Sequence, residues 1–169
     1  KKKYVLITGS SRGIGRACAV AFAKNGYHVF INCKNSVEQL AETEHEILAS
    51  GGGCTALPGD VSDPDVVAAY LQNKKSLPSV DVLVNNAGIS HFGLLSDLSD
   101  SNGKSDRHKP FFCILLPQRS YPSYGIRKCG KIINISSMWG TAGASCEAAY
   151  SASKSGLHGL TKALAKELA

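Results

Sequence analysis

The chain has 169 residues, 43% of them hydrophobic and 19% charged. That suits one domain with its own core and excludes disorder, a collagen-like repeat and a disulfide miniprotein. No apolar run approaches the roughly 18 residues that cross a membrane, and the opening KKKYVLITG reads as entry to a strand, not as a leader. Nineteen Lys and Arg against thirteen acids give +6, but half of this is the Lys1–Lys3 run. The remaining basic residues are scattered, with no basic patch interleaved with aromatics, so no nucleic-acid partner is expected.

Tyr4–Ile7 is a short β-rich apolar run that ends at Thr8-Gly9. A helix is expected from about Ile14, with Gly26 as its C′ stop. His28–Cys33 predicts the second strand. Ser36 and Gln39 have capping-box spacing, and the helix they open should reach about Ser50, ahead of the Gly51–Gly53 break. Thr55–Leu57 predicts a brief strand, and Asp63-Pro64 caps a helix that continues to about Gln72. Val80–Val84 and Lys131–Ile135 predict further strands, and a last helix runs from about Ala148 to Leu168. Strands alternating with helices predict an α/β fold, a doubly wound parallel sheet covered on both faces, in a single unit over residues 1–169. Six strands are expected, with one raw sheet edge.

Residues 101–128 break this regularity: Pro110, Pro117 and Pro122 cut any long helix, and only Phe111–Leu116 is apolar enough for a core. Cys18, Cys33, Cys54, Cys113, Cys129 and Cys146 form no C-x-x-C pair and read as free thiols of a reducing cytosol. The five histidines show no metal-ligand spacing, so no metal is expected.

Thr8-Gly9-Ser10-Ser11-Arg12-Gly13-Ile14-Gly15 lies between the first strand and the first helix. Glycines there permit a tight turn and close approach of the backbone to a pyrophosphate, and the helix N-terminus offers free N–H groups. The G-x-x-x-G-x-G spacing differs from both the G-x-G-x-x-G fingerprint and the G-x-x-x-x-G-K-[ST] loop. A plain turn is the competing reading. The second strand ends Asn32-Cys33-Lys34-Asn35, without the acid that would bind a ribose 2′-hydroxyl. Lys34 and Arg12 suit a 2′-phosphate instead, hence NADP(H), unless Lys34 is simply a solvated loop residue.

Y-x-x-x-K places a Tyr and a Lys on one helix face, where the lysine charge favours the phenolate form. It occurs three times, at Tyr70/Lys74, Tyr124/Lys128 and Tyr150/Lys154. Only the third follows an apolar strand ending in a polar pair, Ser136-Ser137, thirteen residues before the Tyr. The other two are expected to be solvated pairs.

Together these motifs resemble the short-chain dehydrogenase/reductase family, over residues 4–98 and 129–169. The resemblance implies a Rossmann-like fold in which Gly9, Ser11, Arg12, Gly13, Ile14 and Gly15 form the cofactor loop, with Asn32 and Lys34 beside it. Asp60 and Val61 would contact the adenine, and Asn86, Ala87 and Gly88 belong to the NNAG motif that starts at Asn85. Ser137, Tyr150 and Lys154 match the catalytic residues, the last two also holding the nicotinamide ribose. The implied reaction is hydride transfer from NADPH to a carbonyl, in the cytoplasm. Tyr150 protonates the alkoxide, Ser137 hydrogen-bonds the carbonyl oxygen, and Lys154 holds the ribose and favours the phenolate.

GKIINISSMWG and AAYSASKSGLHGLTKALAKELA are most similar to bacterial 3-oxoacyl-[acyl-carrier-protein] reductases of fatty acid synthesis. A carrier-bound or small-molecule carbonyl substrate follows, with Arg127, Lys128 and Lys131 as candidates to meet an acidic carrier. Other short-chain dehydrogenases, acting on sugars, steroids or small carbonyls, share much of these runs. An inactive cofactor-binding fragment is the reading from another class. Family members form homo-oligomers, and Gly156 and Gly159 would permit close helix packing between subunits.

Two departures from the pattern stand out. The family's catalytic Asn and the Gly after it fall at Asp106 and Lys109, in a stretch that reads like a shifted reading frame, so no catalytic Asn is carried over. The chain also stops at Ala169, at the end of the tyrosine helix, and lacks an initiator Met, which suggests a fragment with an incomplete sheet.

Overall fold

The computed structural model describes residues 2–72, 80–88, 90, 92–94, 96 and 130–168. Among these, five strands form one parallel sheet: β1 (Lys3–Ile7), β2 (Tyr27–Cys33), β3 (Gly53–Pro58), β4 (Val82–Asn85) and β5 (Lys131–Asn134). Their order is β3-β2-β1-β4-β5, each formed from one of the five runs named above; a sixth strand is not present among the described residues. β1, where the chain starts the sheet, lies in the middle, and the chain moves outward first on one side and then on the other. The crevice between the two directions opens above the C-terminal ends of β1 and β4, where sheets of this kind bind ligands.

β1, β2 and β4 are apolar on both faces because both faces are covered, whereas β5 alternates exposed and half-buried residues. Val5, Ile7, Val29, Ile31, Val82 and Val84 pack on one side with Ala19 and Ala23 of α1 (Gly13–Lys24) and Leu40 and Ile47 of α2 (Val37–Ala49). Leu6, Phe30 and Leu83 point the other way, against Val67 of α3 (Pro64–Gln72) and Leu157 of α5 (Ala148–Glu167). A short α4 (Trp139–Ala142) lies between β5 and α5. The buried face of α1 is Gly15, Ala19 and Ala23, spaced by one turn, so the helix axis sits close to the sheet.

Two of the expected helix ends form by local chemistry and one does not. Gly26, at φ +79°, stops α1, and Asp63 Oδ1 accepts the Asp65 N–H at 2.8 Å to open α3. Ser36 does sit at the start of α2, but its side chain makes no cap hydrogen bond, so the expected capping box does not form. Gly53 is the first residue of β3 and not part of the break. Tyr70 corrects the expectation of a solvated pair: it packs against the Leu6–Phe30 core and donates to Leu57 O at 3.0 Å. Lys74, Tyr124/Lys128, the irregular stretch 101–128 and the positions of Asp106 and Lys109 lie outside the described residues.

Candidate active site

The loop after β1 is held from below by hydrogen bonds to residues nearly eighty positions away. Thr8 Oγ1 accepts the backbone N–H groups of Asn86 at 3.1 Å and Ala87 at 3.0 Å. Asn86 Nδ2 returns the contact, donating to Thr8 O at 3.0 Å and Gly9 O at 2.8 Å. Gly9 is required here twice over: its φ is +62°, and a Cβ would lie 2.8 Å from Ala87 Cα. Gly15 is equally constrained, since a Cβ would collide with Gly9 O and lie 2.6 Å from Asn86 Nδ2. The loop and the NNAG turn are thus one interlocked unit.

Ser10 Oγ donates to Ile7 O at 2.9 Å and accepts the Asn32 N–H at 2.9 Å, and Thr43 of α2 holds Ser11 O. The first turn of α1 carries no acidic residue, Arg12 and Ile14 are exposed, and a Cβ on Gly13 would meet open space. Free N–H groups at a positive helix end, with an exposed guanidinium beside them, fit the pyrophosphate of a dinucleotide.

Beyond β2 the expected residues separate into two kinds. Asn32 is only 1% exposed, and its Nδ2 donates to Leu57 O at 2.8 Å and Gly59 O at 3.0 Å, so it fixes the backbone around the pocket. Lys34 is exposed, and its Nζ reaches Asp60 Oδ2 at 2.7 Å. Asp60 Oδ1 also accepts from Ser62 N and Oγ. Burial alone would raise the Asp60 carboxyl, but the hydrogen bonds from Lys34 and Ser62 and the Lys34 charge outweigh it and hold the group below its ordinary value. Val61 is buried in the core beneath.

The second half of the site comes from β5 and α5. Lys154 is 8% exposed, with its Nζ donating to Ile135 O at 2.7 Å and lying 5.6 Å from the centre of the Tyr150 ring. A Cβ on Gly88 would be 3.7 Å from the same Nζ, which puts the NNAG turn beside the lysine. Ser137 follows β5 and turns the chain into α4, its Oγ accepting the Trp139 N–H at 3.2 Å. Gly140 lets α4 press onto α5: a Cβ there would lie 2.8 Å from the carbonyl carbon of Lys154. The structure therefore gathers Thr8–Gly15, Asn86–Gly88, Ser137, Tyr150 and Lys154 at the C-terminal ends of β1, β4 and β5.

Thr8 is legible as the start of the cofactor loop but not as the residue that locks the NNAG turn, and Ser136 and Gly140 are not legible as site residues. The usable signal for Thr8 and Ser136 is a hydroxyl residue ending an apolar strand run. Gly140 carries no such mark.

The short chain dehydrogenase family model matches residues 3–169. The 3-oxoacyl-[acyl-carrier-protein] reductase FabG of Staphylococcus aureus is 40% identical over 176 residues, covering 99% of this chain and 69% of the relative. Among solved structures, a metagenomic short-chain oxidoreductase in complex with NADP superposes with a TM-score of 0.92 at 36% identity, covering 98% of this chain and 76% of that one. The F189W actinorhodin polyketide ketoreductase with NADPH gives 0.91 at 32% identity, covering 99% and 65%. With the interlocked glycine loop, the NNAG turn and the Tyr150–Lys154 helix in place, the chain belongs to the short-chain dehydrogenase family of oxidoreductases.

Proposed function

We propose that this protein is an NADPH-dependent carbonyl reductase whose substrate is a 3-oxoacyl group on acyl carrier protein. NADPH, when bound, supplies the hydride. The observation that carries the reading is the placement of Lys154 between the Tyr150 ring and the NNAG turn, at the crevice the glycine loop also faces. The α1 N-terminus and Arg12 receive the phosphates, with Lys34 held by Asp60 at the pocket edge for the 2′-phosphate. Lys154 binds the ribose hydroxyls, Ser137 donates a hydrogen bond to the substrate carbonyl, and Tyr150 gives its phenolic proton to the oxygen as charge develops there.

An acyl substrate is favoured over a sugar by the residues at the rim. Phe92, Leu94 and Met138 are exposed by 76%, 54% and 68%; Gly93 N donates to Cys146 O at 2.8 Å, which ties the Phe92–Leu94 segment to the chain entering α5, and Met138 directly precedes α4. Lys131 is exposed but opens β5 at the opposite end from Ser137, which counts against it as a residue that meets a carrier at the site. Arg127 and Lys128 lie outside the described residues.

Tyr150→Phe is the test. Turnover of 3-oxoacyl substrate should fall by at least about a hundredfold, the scale of a lost general acid, with NADPH still bound and its affinity reduced by no more than about one lost hydrogen bond allows. Loss of NADPH binding together with turnover would contradict the acid role.

A further inference from the structure

Lys154 is held through its backbone as well as its amine. Ser136 Oγ lies 3.0 Å from Lys154 O and 2.8 Å from His158 Nε2. A serine has one proton to give, and a carbonyl can only accept. The proton therefore goes to Lys154 O, and His158 supplies Nε2–H to the serine oxygen. In a helix the N–H of residue 158 also donates to the carbonyl of residue 154. His158 thus grips the Lys154 carbonyl directly through its backbone and indirectly through Ser136. On the other side, Gly140 leaves no space for the Lys154 peptide to shift toward α4.

We propose that Ser136 and His158 are positioning residues that set the height of Lys154 above the C-terminal end of β5, acting on the cofactor through Lys154 alone. This rests on the reading of Lys154 as a ribose-binding group. An apolar residue at 158 would leave the serine oxygen without its donor and loosen the clasp.

A neighbouring contact supplies the control. Asn134 Nδ2 donates to Thr161 Oγ1 at 2.9 Å, a second hydrogen bond between β5 and α5 that does not touch Lys154. If the Ser136–His158 pair merely fastened helix to strand, the two contacts would be equivalent.

The test is the dissociation constant for NADPH, read by its fluorescence, in the wild-type chain and in S136A, H158L, H158Q, T161V, K154A and the double variants K154A/H158L and K154A/S136A. Lys154→Ala should weaken binding most. Ser136→Ala and His158→Leu should each weaken it by about threefold to tenfold, the range of coupled contacts. His158→Gln, which keeps an N–H donor, should stay within about twofold of wild type. Neither S136A nor H158L should weaken binding further once Lys154 is gone, and T161V should lower the melting temperature without changing NADPH affinity. Undiminished effects in the K154A background, or an equal effect of T161V, would overturn the proposal, as would wild-type affinity in S136A and H158L. Should H158L not fold, the S136A arm runs the same cycle. If K154A itself binds NADPH normally, the ribose-binding reading fails first and the positioning role falls with it.

Discussion

The two ends of the sheet are built from different materials. At the C-terminal ends of the strands, Thr8, Ser10, Asn32, Asn86, Ser136 and Lys154 are buried or half-buried polar groups joined across distant segments. At the N-terminal ends, Tyr4, His28 and Phe30 form a ring cluster with centroids 5.1 to 6.0 Å apart, and Asp81 ties the entry of β1 to that of β4. Buried polar groups must all find partners or cost stability. An apolar packing at the upper end would be the cheaper solution for folding alone. The polar end holds backbone and charge in fixed positions, as the proposed NADPH site requires, whereas the aromatic end packs the sheet.

That contrast predicts separable effects. The largest belongs to Gly15→Ala in the upper end. The new methyl has backbone on one side and Asn86 on the other, so it should cost about 3 kcal/mol and remove NADPH binding, measured by denaturant melts and titration. Tyr4→Ala at the lower end should cost about 2 kcal/mol from lost ring packing but leave NADPH affinity intact in the folded protein. Equal loss of affinity in Y4A would break the distinction.

The smallest effects separate by pH. Burial, and then the Lys2 charge, lowers His28 from its ordinary 6.5. The folded state therefore resists the proton that the unfolded chain takes up, and stability present above 6.5 is lost as the pH falls through the lowered value. Asp60 is lowered too, from 3.8, so the stability it contributes is present above that pH and fades only as acid reaches its folded value. Melting temperature followed from pH 7 downward should show two stages. His28→Gln should flatten the upper one and Asp60→Asn the lower, and the latter should cost within about 1 kcal/mol at neutral pH because Lys34 is exposed. A D60N variant that flattened the upper stage would show the assignment to be wrong.

Much of the fold was legible because local signals agreed. Apolar runs gave β1, β2, β4 and β5, and Asp63-Pro64 and Gly26 fixed helix ends that form as expected. Local signals failed where tertiary contacts decide. The Ser36–Gln39 spacing suits a capping box, yet Ser36 makes no side-chain cap bond. Tyr70 looks like a surface tyrosine until β3 supplies Leu57 O. In the site, the glycine loop, Ser137 and the Tyr150–Lys154 pair could be placed by spacing on recognisable elements. The Thr8–Asn86 lock could not, because its partners are separated by 78 residues and no spacing rule connects them. Asn32 shows the same limit from the other side: its position beside the pocket was readable, but not that its amide is spent on Leu57 and Gly59.

The most direct test of the central claim, that the polar end of the sheet is an NADPH site, is thermal unfolding of the chain alone and with millimolar NADPH or NADH. A ligand that binds only the folded state raises the midpoint by mass action, by about 4 kcal/mol of added stability at a thousandfold excess over Kd. The expected result is a cooperative transition raised by NADPH more than by NADH, with the difference lost in Lys34→Ala. A midpoint unmoved by either nucleotide, or moved equally by both, would contradict it.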